Sequence, residues 1–339
     1  MVKRISSVKP CEKISRRAFA RKTVIALAAA GLLGYTAFNT RKLRAVNNIR
    51  RMGHCAPSVM KTLLDINKID NENLALYAGG MAGGIAGPGM ECGVLTAPLL
   101  FMGFQYNNPQ NISERIKIIC KAQSYFNEFN AFNGASLCSR IRQGGMPACM
   151  KAVRNFNRQF VKAISVPIYM TDEAKDSYSV LLKSFDANKF HCAHNVLNNL
   201  NISYPVKDDL YKSSWIFMGG IALLNRTCDA LTAGVLALSS ATARIENSYS
   251  RVARMNRLLR QKNPEAMDEE INNFNRSINL SEELGVWFRN EFGSTNCFDI
   301  WRLDFSKIKN TESYLADNCM LQCRYIADKV AEKVLSMIV

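Results

Sequence analysis

Three cysteines recur in the same order in both halves of this chain, each within a similar short sequence. They are Cys55, Cys92 and Cys138 in the first half and Cys192, Cys228 and Cys297 in the second. The first two are 37 residues apart in one half and 36 in the other. A thiolate can act as a nucleophile, ligate a metal ion or be oxidised to a disulfide. The pattern therefore predicts a tandem duplication whose shared chemistry is that of thiols.

The residues around these cysteines also recur. A histidine precedes the first cysteine of each half, at His54 and His191. A glycine pair follows, Gly79-Gly80 in one half and Gly219-Gly220 in the other. Cys-x-x-Leu-Thr-Ala then begins at Cys92 and at Cys228, and a short motif that starts at Phe132 or Phe292 ends at the third cysteine. We interpret the histidines and glycines as supporting residues of the two sites.

The order of a lone cysteine, a Cys-Gly-Ala-x-x-Gly-like motif, a Phe-Gly-Ser-x-x-Cys-like motif and a final cysteine resembles the C-GCAxxG-C-C family of redox-active proteins. The resemblance covers roughly residues 54–165 and 191–336. It implies Cys149 as the fourth cysteine of the first half, and either Cys323 or Cys319 in the second. Asp229 stands where the motif has its first glycine, and alanines stand where it has its last.

Two kinds of site would use four such cysteines. Four thiolates match the ligand set of an iron–sulfur cluster or a structural zinc ion, here Cys55, Cys92, Cys138 and Cys149. A reversible dithiol is the other, and structural disulfides or small buried thiols are the simplest alternatives. The chain has no Cys-x-x-Cys, so neither a thioredoxin motif nor attached c-type haem is indicated. Cys319 and Cys323 are spaced to share one face of a helix.

Local context predicts how some of these groups behave. Cys92 and Cys228 lie where an apolar helix begins, and a helix N-terminus lowers a thiol pKa, so we expect reactive thiolates there. His54 and His191 could ligate a metal or lower the pKa of the adjacent thiol, or simply begin a helix. Cys11 and Cys120 have no counterpart in the other half. We expect both outside the two sites.

Charge is concentrated at the N-terminus. The formal net charge is +16, but residues 1–44 contain eleven Lys or Arg and one acidic residue, which leaves +6 for the remainder. This distribution argues against nucleic-acid binding. The spacing Gly79, Gly80, Gly83, Gly84 does not fit G-x-G-x-x-G, which argues against a dinucleotide site.

The N-terminal segment resembles a twin-arginine export signal. Ser-Arg-Arg-Ala-Phe over residues 15–19 precedes an apolar run of 16 residues from Thr23 to Phe38. That length suits a signal segment better than a membrane span of about 20 residues. We expect residues 1–44 to be read by the twin-arginine translocase and to be removed or kept as a membrane tether. The protein would then be periplasmic or attached to the outer face of the inner membrane.

Amphipathic spacing recurs throughout and no alternating strand pattern is present, which predicts an all-α fold. We expect two separately packed helical bundles, residues 45–166 and 191–339, joined by a connector over 167–190. Leu231–Leu259 is predicted as one long helix, with Glu265–Phe292 as its antiparallel partner.

These features favour an exported redox protein that passes electrons through an iron–sulfur cluster or a reversible dithiol in each repeat. A thiol–disulfide oxidoreductase is one alternative. A disulfide- or zinc-stabilised binding module serving a transporter is the other. The expected partner is a redox protein or a membrane transporter.

Overall fold

The computed structural model describes residues 44–87, 89–165, 170–244, 248–261 and 263–338. Within these ranges the chain is helical, and β-structure is limited to two isolated bridges. The predicted all-α class is confirmed. Cys11 and the proposed export signal lie outside the described residues. No helix in the described ranges is long and apolar enough to cross a membrane.

The helices of the first repeat and of the connector follow in chain order. They are α1 (described over residues 44–52), α2 (Cys55–Asn67), α3 (Asn73–Tyr77), α4 (Gly93–Tyr106), α5 (Ile112–Asn133), α6 (Cys138–Arg142), α7 (Gly145–Ser165) and α8 (Asp172–Ala187). A 3₁₀ turn, Gly79–Met81, lies between α3 and α4.

The second repeat follows the same plan. Its helices are α9 (Cys192–Asn201), α10 (Asp208–Ser214), α11 (Asp229–Thr242), α12 (Ser248–Arg260), α13 (Pro264–Phe274), α14 (Arg276–Phe292), α15 (Cys297–Trp301), α16 (Ile308–Ala316) and α17 (Cys319–Ile338). The 3₁₀ turn Trp215–Phe217 precedes α11, as Gly79–Met81 precedes α4.

Two predictions about these helices were wrong. Leu231–Leu259 is not one helix, because Ala243 takes an extended conformation (φ −67°, ψ 141°) that ends α11 at Thr242. The expected antiparallel partner, Glu265–Phe292, is also two helices instead of one. Asn275 (φ −94°, ψ 8°) separates α13 from α14.

The same helix ending positions the third cysteine in both repeats. Gly134 follows α5 and Gly293 follows α14, with φ of 74° and 78°. This left-handed conformation is easiest for glycine and commonly ends a helix. The chain then turns back within a few residues to begin α6 at Cys138 and α15 at Cys297.

The repeats do not pack as separate bundles, contrary to the sequence prediction. Their buried apolar side chains form one continuous core. Trp215 of the second repeat is fully buried and donates its indole N–H to the carbonyl of Gly103 in α4, at 2.9 Å. Gly80 similarly donates its N–H to the Ser239 hydroxyl of α11, at 2.8 Å.

Candidate thiol sites

In the first repeat, a short antiparallel contact holds the second and third cysteines side by side. Glu91 and Leu137 form an isolated β-bridge. The N–H of Cys92 donates to the carbonyl of Ser136, and that of Cys138 to the carbonyl of Met90, each at 2.8 Å. Because each cysteine then begins or caps a helix, the two thiols lie where α4 and α6 start.

The second repeat builds the same contact. Thr227 pairs with Asn296 in the other isolated bridge. The Cys228 N–H donates to the carbonyl of Thr295 at 2.9 Å, and the Cys297 N–H to that of Arg226 at 2.8 Å. The equivalence of Cys92 with Cys228 and of Cys138 with Cys297 therefore extends to their backbone hydrogen bonds.

The four expected cysteines of the first repeat lie near one another. Cys55, at the start of α2, interacts electrostatically with Cys138 and Cys149. Cys149, in the second turn of α7, interacts with Cys138. Cys55 and Cys149 are partly exposed, whereas Cys92 and Cys138 are only 6% exposed each. The group therefore consists of a buried pair, Cys92 and Cys138, and two partly exposed thiols near it, Cys55 and Cys149.

Within this group, Cys92 and Cys138 share a hydrogen bond that shifts their two pKa values in opposite directions. The bond from Cys92 lowers the pKa of Cys138, and the guanidinium of Arg142 lowers it further. The pKa of Cys92 is raised well above its usual value, first by that bond and then by burial. Burial also raises the pKa of Cys55 to about 11. Cys138 is therefore the more acidic of the two thiols, and Cys92 donates the hydrogen bond to it.

The expectation that Cys92 and Cys228 would be acidic was wrong. Both do cap the N-termini of their helices, α4 and α11. The pKa of Cys228 is nonetheless raised, mainly by burial and then by the nearby Asp229 carboxyl. Loss of hydration disfavours the thiolate more than the helix end favours it.

In the second repeat a different pair of cysteines is hydrogen-bonded. Cys192, at the start of α9, bonds to Cys323 in α17, and this bond and burial raise the pKa of Cys192 well above its usual value. The Tyr314 hydroxyl also donates to the Cys323 sulfur, at 3.3 Å. Cys297 is buried, and its pKa is raised by burial and by the charges of Cys228 and Asp229. The second repeat thus pairs its first and fourth cysteines, whereas the first pairs its second and third.

Asp229 is a member of the second site that no cysteine motif indicates. Its carboxylate accepts hydrogen bonds from the N–H groups of Gly220 and Ile221 at 3.2 Å, and it is also bonded to the Cys192 thiol. Burial raises its pKa to about 8, although these bonds act in the opposite direction. The sequence shows that Asp229 replaces the first glycine of the motif, but it does not show that the Asp229 carboxyl lies beside Cys192.

The turn that holds Asp229 is strained. Ile221, Ala222 and Leu223 have φ of 60°, 53° and 61°. A left-handed non-glycine residue costs roughly 1–2 kcal/mol. Burial of all three side chains and the bonds to Asp229 keep the turn in place. Gly220 is needed there, because a Cβ at that position would lie 2.5 Å from the Arg226 nitrogen.

The glycine pair of the first repeat does something else. A Cβ on Gly79 would lie 2.6 Å from the Cβ of Ala243, and one on Gly80 would lie 2.6 Å from the Ser239 hydroxyl. These glycines let the first repeat pack closely on the second. The atoms nearest to such added Cβ atoms belong to the second repeat, and none of them is a thiol.

The histidines make structural contacts. The His54 ring packs on Phe274 with centroids 4.3 Å apart, and its Nε2 lies 3.4 Å from the Phe274 carbonyl. His191 accepts the N–H of His194 on Nδ1 at 3.3 Å, and its Nε2 donates to the carbonyl of Trp215 at 2.9 Å. Both nitrogens of His191 are thus engaged away from Cys192. Burial lowers the pKa of both His54 and His191, which disfavours the charged form of each ring.

Of Cys319, Cys323 and Cys120, the first two lie in α17 and the third lies away from both thiol groups. Cys323, in α17, belongs to the second group, whereas Cys319 at the start of that helix interacts with Cys323 and Asp317. Cys120 lies elsewhere, with its sulfur 3.8 Å from that of Met170. All ten cysteines of the described ranges are free thiols.

The cysteines are suitable ligands for a metal centre, but the arrangement of the described cysteines is not that of a metal site. Four thiols per repeat are the right donors for an iron–sulfur cluster or zinc. In the part of the chain that the structure describes, however, no three His, Cys, Asp or Glu side chains are arranged around a common metal position. The thiols are instead hydrogen-bonded in pairs.

Two stretches, residues 53–163 and 190–337, match the model of a family described as "Putative redox-active protein (C_GCAxxG_C_C)". The chain belongs to the C_GCAxxG_C_C family. It contains two copies of the C_GCAxxG_C_C unit, which confirms the internal duplication. No curated protein and no solved structure matches the chain.

Proposed function

We propose that the first repeat is a reversible dithiol–disulfide site formed by Cys92 and Cys138, through which the protein exchanges electrons with a redox partner. The hydrogen bond from Cys92 to Cys138 carries this proposal, since it makes one sulfur of a close pair the better thiolate. Family membership supports redox activity in general.

The reaction would follow thiol–disulfide exchange. The Cys138 thiolate attacks one sulfur of a partner's disulfide, and the other partner sulfur leaves as a thiolate. Cys92 then gives up its proton and attacks the Cys138 sulfur, so that a Cys92–Cys138 disulfide forms and the partner leaves as a dithiol. Two electrons pass from the cysteine pair to the partner's disulfide, Cys92 supplies one of the two protons of the partner dithiol, and solvent supplies the other. The reverse sequence oxidises a partner dithiol.

Arg142 would support the attacking sulfur. Its guanidinium lowers the pKa of Cys138, and the side chain itself is exposed. A partner would approach on this side, where the partly exposed Cys149 also lies. Cys55 and Cys149 could then receive the disulfide from the inner pair.

A disulfide probe tests the assignment. Reduced protein mixed with 5,5′-dithiobis(2-nitrobenzoate) should release two equivalents of thionitrobenzoate rapidly from this site. Cys138→Ser should remove the rapid phase, whereas Cys92→Ser should stop at a mixed disulfide on Cys138. Cys120→Ser, the control at a thiol outside the group, should behave as wild type. A rapid phase that survives Cys138→Ser would exclude the proposed site.

An iron–sulfur cluster on Cys55, Cys92, Cys138 and Cys149 is the second candidate, and the proximity of these four thiols favours it. When bound, such a cluster would supply one-electron transfer. Iron and sulfide analysis of anaerobically purified protein tests it. Stoichiometric iron that is lost with serine at any of the four positions, but kept in Cys120→Ser, would replace the dithiol proposal.

For the second repeat we propose Cys192 and Cys323 as the exchanging pair, with Asp229 as the proton acceptor of Cys192 above pH 8, where its carboxyl is ionised. The hydrogen bond of each group to Cys192 supports this. After diamide treatment, a Cys192–Cys323 disulfide is expected in wild type. It should form more slowly in Asp229→Asn. Unchanged kinetics would remove Asp229 from this role.

We also propose export by the twin-arginine route, on the motif at residues 15–19. Arg16→Lys together with Arg17→Lys keeps the charge but should leave the protein in the cytoplasm. Unchanged export after this double substitution would remove the proposal. An exported redox protein would meet a partner protein or a membrane transporter outside the cytoplasm.

A further inference from the structure

A cavity lies where the first repeat, the connector and the second repeat meet. Its volume is about 330 Å³, at the lower end of the range of about 300–1,000 Å³ that small-molecule sites occupy. The wall includes Arg115 of α5, Asp186 near the end of α8, and His191 and His194 at the start of α9. No cysteine is among the described residues that line it. The cavity is therefore separate from the two thiol groups.

Arg115 is the unusual residue of this wall. It is only 4% exposed, although its guanidinium carries a charge and five N–H donors. One N–H donates to the Asp186 carboxylate, and Nε has no hydrogen-bond partner among the described protein atoms. A buried donor without a partner is uncommon and costly, and a bound ion is one of the things that can complete it. The guanidinium thus has hydrogen-bonding capacity that the surrounding protein does not use.

The charges of the wall are mostly positive. Lys189 adds a second cation, and Asp186 is the one carboxylate among the described lining residues. Burial lowers the pKa of His191, and the charge of Arg115 lowers it further, so that charge is felt at the ring. Burial also lowers the pKa of His194 to about 4. With two cations to one carboxylate, the wall suits an anionic ligand.

Amide side chains form much of the remaining wall. Asn108 and Gln110 come from the loop between α4 and α5, and Asn195 and Asn198 from α9. The Oδ1 atom of Asn108 is buried and, like Nε of Arg115, has no partner among the described atoms. An amide NH₂ group can donate to an oxyanion, and an amide oxygen accepts from a hydroxyl. The unused groups of the wall are therefore one donor and one acceptor.

We propose that this cavity binds a small oxyanion that also carries a hydroxyl group. Arg115 would hold the anionic oxygens through the donors that Asp186 leaves unused, and Asn108 would accept from the hydroxyl. Hydrogenphosphate and a 2-hydroxycarboxylate share this chemistry, and a planar guanidinium matches the geometry of both. An ion pair that only held the loops together would need neither the unused Nε nor the second cation.

The ligand would lie beside the second thiol group without touching it. His191 and Asn195 line the cavity, and Cys192 lies between them in the sequence. Binding needs none of the cysteines. The proposal can therefore be tested on fully reduced protein, and its failure would leave the proposed redox function unaffected.

Histidine NMR of the full-length protein tests the proposal, because the chain has three histidines and two of them line the cavity. Reduced protein with ¹³C-labelled histidine is titrated with phosphate or with glycolate, at constant pH and with chloride keeping the ionic strength constant. The imidazole signals of His191 and His194 should shift and reach saturation. The signal of His54, which packs on Phe274 and does not line the cavity, should not move. Saturation by only one probe would identify the ligand as a phosphate or as a carboxylate.

Two substitutions that break the same ion pair separate binding from stability. Arg115→Gln removes the guanidinium and should weaken binding by at least roughly tenfold, since hydrogen bonds to a charged group are lost. Asp186→Asn removes the competing carboxylate and should strengthen binding by up to about fivefold. Lys175→Gln, at an exposed position of α8 outside the cavity wall, should leave the affinity unchanged.

Three results would overturn the proposal. They are no saturable shift with either probe, shifts that Arg115→Gln leaves unchanged, and weaker binding in both Arg115→Gln and Asp186→Asn, which a disturbed structure would explain. If Arg115→Gln does not fold, Lys189→Gln replaces it, because Lys189 is exposed. That substitution should weaken binding by up to about fivefold, and an unchanged affinity would again contradict the assignment.

Discussion

The hydroxyl of Thr227 donates a hydrogen bond to the carboxylate of Glu91, and both residues are buried. Each directly precedes a cysteine of its repeat, Cys228 and Cys92. The sulfur of Met90 extends the contact by accepting from the Thr295 hydroxyl at 3.1 Å. The two thiol sites are therefore joined inside the shared core.

Replacing Thr227 by valine tests this contact. Burial raises the pKa of Glu91, and the bond from Thr227 acts against that rise. A carboxyl whose folded-state pKa is raised stabilises the protein most at low pH, and this stability is lost as the pH rises through that pKa. Thr227→Val should therefore lower the free energy of unfolding by about 1–3 kcal/mol at pH 8, and by less at pH 5.

Urea unfolding at the two pH values measures this difference. Thr227→Ser keeps a hydroxyl and should retain most of the stability. An equal loss at both pH values would show that Glu91 does not titrate through this contact.

Asp229 should dominate the pH dependence of the second repeat. Its pKa of about 8 lies far above the usual 3.8. Between these values the folded state holds a proton that the unfolded state has lost, so stability should fall as pH rises from about 4 to 8, by about 1.4 kcal/mol per pH unit for this group. Asp229→Asn should flatten that slope in urea-unfolding measurements. A slope that persists unchanged would assign it to other groups.

The reactivity of Cys138 should depend on two neighbours. Its pKa is lowered by the bond from Cys92 and by the charge of Arg142. Iodoacetamide labelling followed by peptide mass spectrometry should show Cys138 reacting at a lower pH than Cys120, whose pKa burial raises to about 11. Cys92→Ala and Arg142→Gln should each move the Cys138 profile to higher pH, and Arg154→Gln on the exposed side of α7 should not. Identical profiles in all variants would contradict the assigned thiolate.

Gly80→Ala should weaken the contact between the repeats. The added methyl would meet the hydroxyls of Ser281 and Ser239 in helices of the second repeat. Overpacking of this kind costs typically about 1–3 kcal/mol, and thermal unfolding measures it. The wild-type melting temperature in Gly80→Ala would show that the helices are not in close contact there.

Much of the fold follows from patterns that are local in sequence. The recurring cysteines locate the two repeats, and amphipathic spacing gives the all-α class. The sequence does not show which side chains of one repeat pack against the other repeat. Trp215 reaches Gly103 across 112 residues, so the expected separate bundles become one core.

The thiol sites could likewise be predicted only in part from the sequence. The motifs indicate which cysteines recur, and the structure brings them together in each repeat. Their acidity depends on burial and on neighbours distant in sequence, such as Asp229 for Cys192 and Cys138 for Cys92, so helix position alone gave the wrong direction for Cys92. The pairing of Cys192 with Cys323 depends on the placement of α17, which no local pattern fixes.

Disulfide mapping at controlled redox potential tests the central claim most directly. Full-length protein is equilibrated in a series of reduced and oxidised glutathione, remaining thiols are alkylated, and cross-linked peptides are identified by mass spectrometry. The proposed function predicts that Cys92–Cys138 forms reversibly in the first repeat and that Cys120 stays reduced. Cys92 and Cys138 that stay alkylatable at every potential, or that are oxidised only to other cysteines, would contradict it.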